Sequence, residues 1–345
     1  MWDGIVVELK CGRSEINRFL NMPKPKIYLT YPLPPQCMRF LEENSELEYN
    51  SEMRLLNPEE LAAGIQGKQG LCTLSSKIGA EVMDSNPNLK VIANFGVGYN
   101  NIDVAAATAR GIAVTNTPGV LTDTTADIAW ALLMDVARRV SEGDRWVRGK
   151  NWDSWDPNLF IGADVTGATL GLLGLGRIGK SVVKRAKGFD MKILYWNRTR
   201  LSEADETELG IQYVEQDALF QESDFVSLHV ALNEGTRHLV GERQLGRMKP
   251  TAFLINTTRG PVVDEKALVR ALQEKRIAGA GLDVFEREPK LEPELYEMEN
   301  VVIPPHVGSA TVGTRLKMGM MAARNCVAGC LGERPPNIVN PEIYG

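Results

Sequence analysis

Short apolar runs and amphipathic stretches alternate along the chain from Lys26 onward. The first series predicts strands at IYLTY (27–31), LCTL (71–74), VIANF (91–95) and IAVTNT (112–117). Helical patterns lie between these strands, over residues 34–44, 79–86 and 102–111. Strands that are apolar throughout and joined by helices are typical of a parallel sheet covered on both faces. The first part of the chain therefore predicts βαβ units.

A second series of the same kind follows a long helical pattern over residues 122–149 and an irregular aromatic segment, NWDSWDPNLF (151–160). Its predicted strands are TLGLLG (169–174), KILYW (192–196), DFVSLHV (224–230), AFLINT (252–257), AGAGLDV (278–284) and VVIP (301–304). From about Gly308 the chain is helical and apolar again. This terminal helix must bury its apolar face, and the first sheet is its natural partner.

The pattern therefore predicts an α/β fold with two doubly wound parallel-sheet domains, the second inserted into a discontinuous first. We expect residues 25–122 and 307–340 to form the first domain and residues 123–306 to form the second. Residues 1–24 are predicted to be an extension, because the regular pattern begins only after Met22. They lack the basic and apolar regions of a secretory signal.

Composition and charge narrow the possible partners. The 345 residues carry 39 Lys and Arg against 44 Asp and Glu, a net charge of −5. Nucleic acids and anionic membranes need a basic footprint, so neither is an expected partner. Five scattered cysteines without a CxxC indicate a reducing, cytoplasmic setting. Cys326 and Cys330 are predicted to be buried thiols rather than zinc ligands, and no metal site is expected.

The clearest motif is the turn that follows the strand TLGLLG. Gly174, Gly176 and Gly179 have the G-x-G-x-x-G spacing, with a strand before them and a helix after them. In such a turn the first glycine permits the tight bend, the second lets a pyrophosphate approach, and the third lets helix and strand pack closely. With Arg177 and Ile178 between the last two, this turn predicts a dinucleotide site in a Rossmann-like second domain.

The residues after the next strand bear on which dinucleotide is bound. NAD sites usually place a carboxylate there for the ribose 2′-hydroxyl. This chain has Asn197, followed by Arg198, Thr199 and Arg200. No carboxylate repels a 2′-phosphate, and both guanidinium groups are candidates to pair with one. NADP(H) is therefore favoured, with NAD(H) as the alternative.

Three charged residues follow strand ends of the second series: Arg259, Glu288 and His306. Ligands of doubly wound sheets bind at the carboxyl ends of the strands. Arg259 offers a planar fork that matches a carboxylate, and His306 exchanges a proton near neutral pH. Glu288 is positioned to orient and charge-stabilise the imidazole. Each residue alone has an ordinary structural explanation, but their combination favours a catalytic set.

At this point the sequence resembles the D-isomer-specific 2-hydroxyacid dehydrogenases, over nearly all of residues 25–340. The matching runs are NFGVGYNNID (94–103), TTADIAWALL (124–133), GLLGLGRIG (171–179), INTTRGPVVDE (255–265), GLDVFEREP (281–289) and PPHVGSAT (304–311). Within the family the likeness is greatest to the glyoxylate/hydroxypyruvate reductases. Formate dehydrogenases are disfavoured, since they carry Gln at the position of Glu288.

The resemblance implies roles at the matching positions. Arg259, Glu288 and His306 correspond to the catalytic residues, and the first domain becomes the substrate-binding domain. Its predicted substrate-binding residues are Ser75, Val97 and Gly98, together with Arg259. Beyond the turn at 174–179 and Asn197, Arg198 and Thr199, the predicted cofactor-binding residues are Thr125, Thr257, Asp283 and Gly308.

The implied reaction is hydride transfer from NAD(P)H to a small 2-oxoacid, glyoxylate or hydroxypyruvate, giving glycolate or D-glycerate. His306 is expected to supply the proton and Arg259 to hold the carboxylate. The alternatives are another D-2-hydroxyacid dehydrogenase, acting on 2-ketogluconate, D-lactate or phosphoglycerate, and an NAD(H)-sensing corepressor. Residues 122–149 and the tryptophans at 152 and 155 resemble the family's dimer contacts, so a homodimer is expected.

Overall fold

The computed structural model describes residues 23–52 and 54–345. The extension predicted over residues 1–24 lies outside them up to Met22. The chain divides into two compact units, one ending at Val120 and resuming at Thr311, the other running from Leu121 to Ala310. Each unit is an α/β structure around a parallel sheet, so the predicted fold class is confirmed.

The first unit contains β1 (Lys26–Leu29), α1 (Pro35–Asn44), β2 (Glu46–Tyr49), α2 (Pro58–Gly64), β3 (Gly70–Thr73), α3 (Ala80–Asp84), β4 (Val91–Asn94), α4 (Val104–Ala109) and β5 (Ala113–Thr115). Its strands are parallel, in the order β2-β1-β3-β4-β5. The change of direction between β1 and β3 makes their carboxyl ends the expected ligand edge.

The second unit contains α5 (Thr122–Arg138), α6 (Val140–Arg148), β6 (Thr169–Leu173), α7 (Arg177–Lys187), β7 (Lys192–Trp196), α8 (Glu203–Leu209), β8 (Gln212–Tyr213), α9 (Gln216–Glu222), β9 (Phe225–Leu228), α10 (Glu242–Leu245), β10 (Phe253–Asn256), α11 (Glu265–Gln273), β11 (Gly279–Leu282) and β12 (Val301–Val302). Its strand order is β12-β11-β10-β9-β6-β7-β8. The order reverses between β6 and β9, so the glycine turn after β6 lies where such sheets bind ligands.

The terminal helix α12 (Val312–Cys330) belongs to the first unit and packs against its sheet. A Cβ on Gly70 of β3 would lie 2.5 Å from the Cys330 Sγ and 2.8 Å from the Cys326 Sγ. Both thiols are buried, as the sequence predicted. In the described part of the chain, no helix combines the length and apolar character needed to cross a bilayer.

The prediction of a single long helix over residues 122–149 is wrong, because the helix breaks at Arg139. This residue takes the left-handed conformation, with φ +56°, and separates α5 from α6. The Asp135 carboxylate accepts hydrogen bonds from the Ser141 N–H, at 2.7 Å, and from its hydroxyl. These local bonds replace the helical ones at the junction and start a new helix.

Candidate active site

The three glycines of the turn after β6 have separate geometric roles. Gly174 has φ +94°, and a Cβ there would lie 2.8 Å from the carbonyl carbon and oxygen of His229. A Cβ on Gly179 would lie 2.8 Å from the Gly174 carbonyl oxygen, so helix and strand are in close contact. A Cβ on Gly176 would meet nothing within 4 Å. The space over Gly176 therefore suits a pyrophosphate.

The first turn of α7 faces this open space without a side-chain cap. Gly176 is the N-cap residue, and no side chain accepts from the first N–H groups of this 11-residue helix. Arg177 is exposed and Ile178 is partly buried at its start. Uncapped N–H groups and the positive end of the helix dipole together favour an anion.

The turn after β7 is fixed by bonds to its two ends. The Asn197 Oδ1 accepts the Leu175 N–H at 2.8 Å, which ties this turn to the glycine turn. The Tyr195 hydroxyl accepts the Leu201 N–H at 3.0 Å on the other side. Arg198 and Thr199 lie exposed between these anchors. They are available to a ligand in a preformed turn.

Arg200 does not share that availability, which corrects the interpretation that both arginines of this turn could pair with a phosphate. Its guanidinium binds the Glu206 carboxylate through two bonds, of 2.7 and 2.8 Å, and lies over the Tyr213 ring. The Arg200 guanidinium, with the Tyr195 hydroxyl, lowers the pKa of Glu206 to about 2. The sequence could not reveal this pairing because α8 brings Glu206 back onto the turn.

The loop after β10 carries Arg259 and is held by the Asn256 side chain and by close packing against Phe285. The Asn256 side chain accepts from the Thr258 N–H at 3.0 Å and donates to the Arg259 carbonyl at 3.1 Å. A Cβ on Gly260 would lie 1.8 Å from the Phe285 carbonyl carbon, so only glycine fits there. Burial lowers the pKa of Arg259, and the charge of Glu288 opposes this shift. Arg259 is thus a partly buried cation close to a carboxylate.

Glu288 and His306 form a hydrogen-bonded pair in which the His306 Nδ1 lies 2.9 Å from the Glu288 Oε2. The other carboxylate oxygen accepts the Phe285 N–H at 2.9 Å. Burial raises the pKa of Glu288, but His306, the Phe285 N–H and Arg259 outweigh it, and the pKa is lowered. The His306 side chain is 44% exposed, so part of the ring is accessible to a ligand. This is the geometry of an imidazole oriented by a carboxylate.

Asp283 holds the loop that follows His306. Its oxygens accept the N–H groups of Val307, at 2.7 Å, and Gly308, at 2.8 Å. Burial is the main cause of its raised pKa. A Cβ on Gly308 would lie 2.9 Å from Asp283 and 3.6 Å from Thr125. The structure thus brings together Thr125, Asp283 and Gly308, three of the predicted cofactor-binding residues.

Two buried polar atoms at the ends of neighbouring strands have no hydrogen-bond partner among the described residues: the Thr257 hydroxyl and the His229 Nδ1. Thr257 follows β10, and His229 follows β9 next to the glycine turn. Burial lowers the pKa of His229 to about 4, so the ring is neutral at pH 7. Its Nε2 lies 2.9 Å from the Ser227 hydroxyl.

In the first unit, the predicted substrate-binding residues also follow strands. Ser75 lies after β3 with φ +59° and is exposed. The turn after β4 is held by asparagines: Asn94 donates to the Gly98 carbonyl at 2.9 Å, and Asn116 to the Val97 carbonyl at 2.8 Å. Among the described residues, no backbone carbonyl accepts the N–H of Val97 or Gly98. These N–H groups suit an anion.

Comparison with known proteins identifies the family. Residues 130–308 match the family model described as D-isomer specific 2-hydroxyacid dehydrogenase, NAD binding domain. The chain belongs to the D-isomer specific 2-hydroxyacid dehydrogenases. The predicted family is confirmed, and the protein is therefore an oxidoreductase with an NAD-binding domain.

Relatives of known name extend the likeness over almost the whole chain. The glyoxylate reductase of Thermococcus litoralis is 48% identical over 325 residues, which is 93% of this chain and 98% of that protein. The glyoxylate reductase of Korarchaeum cryptofilum is 50% identical over 324 residues, covering 93% of this chain and 97% of that protein. The crystal structure of an NADPH-dependent glyoxylate/hydroxypyruvate reductase from Sinorhizobium meliloti, with NADP and malonate, has a TM-score of 0.83 and 35% identity, covering 92% of this chain and 97% of that one.

The second unit of this dehydrogenase has the features that a dinucleotide needs. Gly176 opens toward free space, and α7 begins uncapped. The buried Thr257 hydroxyl lacks a partner among the described residues. The residues present therefore fit the cofactor that the family implies. Sequence reasoning missed Asn256, which shapes the Arg259 loop, although a polar residue ending an apolar strand could have indicated it.

Proposed function

We propose that this dehydrogenase reduces glyoxylate, hydroxypyruvate or both to the corresponding D-2-hydroxyacid, glycolate or D-glycerate, with NADP(H) preferred over NAD(H). The observation that carries the proposal is the Glu288–His306 pair, with 2.9 Å between its polar atoms, in the neighbourhood of the desolvated Arg259. A proton donor beside a carboxylate-binding cation suits a 2-oxoacid. The names and identities of the relatives support the small substrates.

In this proposal the protein's own groups bind and protonate the substrate. Arg259 pairs with the substrate carboxylate and polarises the carbonyl oxygen. The N–H groups of Val97 and Gly98 are assigned to carboxylate binding, and Ser75 is assigned to substrate binding. His306 gives its proton to the oxygen as negative charge develops there, and Glu288 stabilises the imidazolium beforehand. A bound nicotinamide supplies the hydride for the carbonyl carbon.

The cofactor would be held along the second unit. The pyrophosphate belongs over Gly174, Gly176 and Gly179, at the start of α7, with Arg177 and Ile178 beside it. The adenosine ribose belongs at Asn197, Arg198 and Thr199. We assign the nicotinamide end to four residues: Thr125, Thr257, Asp283 and Gly308.

The test of the function is a panel of 2-oxoacids assayed with NADPH and NADH in parallel. The expected result is the highest kcat/KM with glyoxylate or hydroxypyruvate. Faster turnover of 2-ketogluconate, pyruvate or the oxidised form of phosphoglycerate would assign another member of the family. Cofactor binding without turnover of any 2-oxoacid would favour a sensing protein of the corepressor type.

Cofactor preference has its own test at the turn after β7. Because Arg198 is exposed, we expect about a tenfold preference for NADPH over NADH in kcat/KM, less than a buried charge-assisted bond gives. The double variant Asn197→Asp/Arg198→Ala should reverse it, since Asp still accepts the Leu175 N–H but repels a 2′-phosphate. The control is Arg200→Lys, which keeps a cation for Glu206 and should retain the preference. A wild type that uses NADH better contradicts the assignment.

We further propose a two-fold homodimer that buries the exposed aromatic segment. Trp152 is 57% exposed and Trp155 is 79% exposed, and both line one hollow with the exposed Val147. Apolar patches of this kind mark interaction sites. Light scattering should give twice the chain mass, and Trp152→Ser/Trp155→Ser should shift the protein toward one chain. Tyr296→Ser, which also removes an exposed aromatic ring, is the control and should keep the dimer. A wild-type mass of one chain at assay concentration contradicts the proposal.

The proposed location is the cytoplasm. The four described cysteines are free and buried, and free thiols persist in a reducing compartment.

A further inference from the structure

Glu288 lies in a tight turn of the chain between β11 and β12. Arg287 and Lys290 form an isolated antiparallel bridge, and the Lys290 N–H donates to the Arg287 carbonyl at 3.0 Å. The segment 286–292 therefore leaves the body of the unit and returns to it, with Glu288 near its tip. The position of the Glu288 carboxylate depends on what holds the two ends of this segment.

Both ends are held by one side chain, Glu265. This residue is the first of α11 and is only 3% exposed. Its Oε1 accepts the Glu286 N–H in a short hydrogen bond, and its Oε2 accepts the Glu292 N–H at 3.1 Å. The two oxygens of a single buried carboxylate thus bind the backbone immediately before and after the turn that carries Glu288.

A carboxylate is the one side-chain group of this size that can accept at both ends. An amide of the same shape has one accepting oxygen and one NH₂ group, and the latter would face a backbone donor. Burial raises the pKa of Glu265, and the charges of Glu286 and Glu292 add to this, while the two N–H donors oppose it. The position at the start of α11 also favours a negative charge. A side chain that only packed against apolar neighbours at this position would not need a carboxylate.

We propose that Glu265 is a positioning residue for Glu288: by holding both ends of the segment 286–292, its carboxylate sets the contact between Glu288 and His306. This inference rests on the proposed role of the Glu288–His306 pair. Glu265 acts through the turn and through Glu288, and it is assigned no contact with substrate or cofactor.

The first test is a titration of His306 followed by NMR, which requires no substrate. The chain has three histidines, so a His306→Ala sample identifies the signal. In Glu265→Gln we expect the titration midpoint of His306 to fall, in the same direction as in Glu288→Gln and by a smaller amount. In the Glu265→Gln/Glu288→Gln double variant it should fall no further than in Glu288→Gln, because the positioned carboxylate is already gone.

Asp264→Asn is the matched control for charge. Asp264 precedes Glu265 and caps α11 by accepting the Ala267 N–H at 3.0 Å, which Asn can also do. The Asp264→Asn substitution removes one negative charge from the same end of α11 and should leave the His306 midpoint near the wild-type value. An unchanged midpoint in folded Glu265→Gln contradicts the proposal. So does an equal fall on the Glu288→Gln background, which would reveal a direct charge effect.

A second pair of variants tests the other partner of a Glu265 hydrogen bond, the N–H of Glu292. Glu292 has φ −61°, which proline also adopts, so Glu292→Pro removes the N–H donor at a φ that the new residue allows. Glu292→Ala keeps the N–H and loses the same side chain. We expect a lower His306 midpoint in Glu292→Pro than in Glu292→Ala. Equal midpoints contradict the role of this bond, and the comparison remains available if Glu265→Gln does not fold.

Turnover then separates this inference from the proposed function. If the wild type reduces 2-oxoacids, Glu265→Gln should lose roughly tenfold in kcat with little change in the Kd for NADPH. That loss should vanish on the Glu288→Gln background. A wild type without 2-oxoacid turnover overturns the proposed function, whereas the His306 titrations still decide the role of Glu265.

Discussion

His306→Ala is expected to lose roughly 10²–10⁴-fold in kcat, the usual contribution of a general acid, while NADPH still binds. The ring is the proton donor assigned to the carbonyl oxygen, and its Nδ1 is already engaged by Glu288 at 2.9 Å. Alanine keeps the backbone but supplies no proton. Steady-state kinetics with glyoxylate measure the loss, and fluorescence of bound NADPH measures the Kd.

The chain offers a matched control in a second histidine–glutamate pair. The His238 Nε2 lies 2.7 Å from the Glu286 Oε1, two residues before Glu288. His238→Ala removes an imidazole with the same kind of partner, and we expect turnover near that of the wild type. Near-wild-type turnover in His306→Ala would remove His306 from the role of proton donor.

Arg259→Lys is expected to lose about 10–100-fold in kcat/KM for glyoxylate, through a higher KM and a lower kcat together. The guanidinium matches a carboxylate with two parallel bonds, whereas an ammonium offers a single point of charge. The loss is large because Arg259 is desolvated, which strengthens its bonds to an anion. Initial rates over a range of glyoxylate concentrations separate the two parameters.

Arg276→Lys is the control for this substitution. Arg276 pairs with Glu274 and Glu242 on the surface, and none of these residues is assigned to the reaction. We expect both parameters to stay at wild-type values there. An unchanged KM in Arg259→Lys would mean that other groups hold the carboxylate.

The sequence was sufficient to predict features that depend on residues close to one another in the chain. The spacing of Gly174, Gly176 and Gly179 already predicted three separate roles, and each has its geometric counterpart. Arg259, Glu288 and His306 could be proposed as a set because strand ends of a parallel sheet meet at one edge, and the structure brings Glu288 and His306 into contact. Apolar runs likewise predicted β3 and β4, whereas β2 was missed because its residues, ELEY, are largely polar and exposed at the sheet edge.

Features that depend on the folded chain could not be predicted from the sequence. The pairing of Arg200 with Glu206 requires α8 to fold back onto the turn, and the break at Arg139 depends on the bonds between Asp135 and Ser141. Glu265 ends the run INTTRGPVVDE, but its proposed positioning role depends on a segment some twenty residues later. Its carboxylate accepts the Glu286 N–H across 21 positions of the chain. In each case a polar side chain pairs with a backbone group or a charged group, and for Arg200 and Glu265 only the tertiary structure brings that partner close.

NADPH oxidation by the wild-type protein on addition of glyoxylate or hydroxypyruvate tests directly whether this dehydrogenase reduces a small 2-oxoacid. We expect oxidation that depends on the 2-oxoacid, with glycolate or D-glycerate formed in equal amount and the rate lost in His306→Ala. Absence of oxidation with either 2-oxoacid, with NADPH and with NADH, would contradict it.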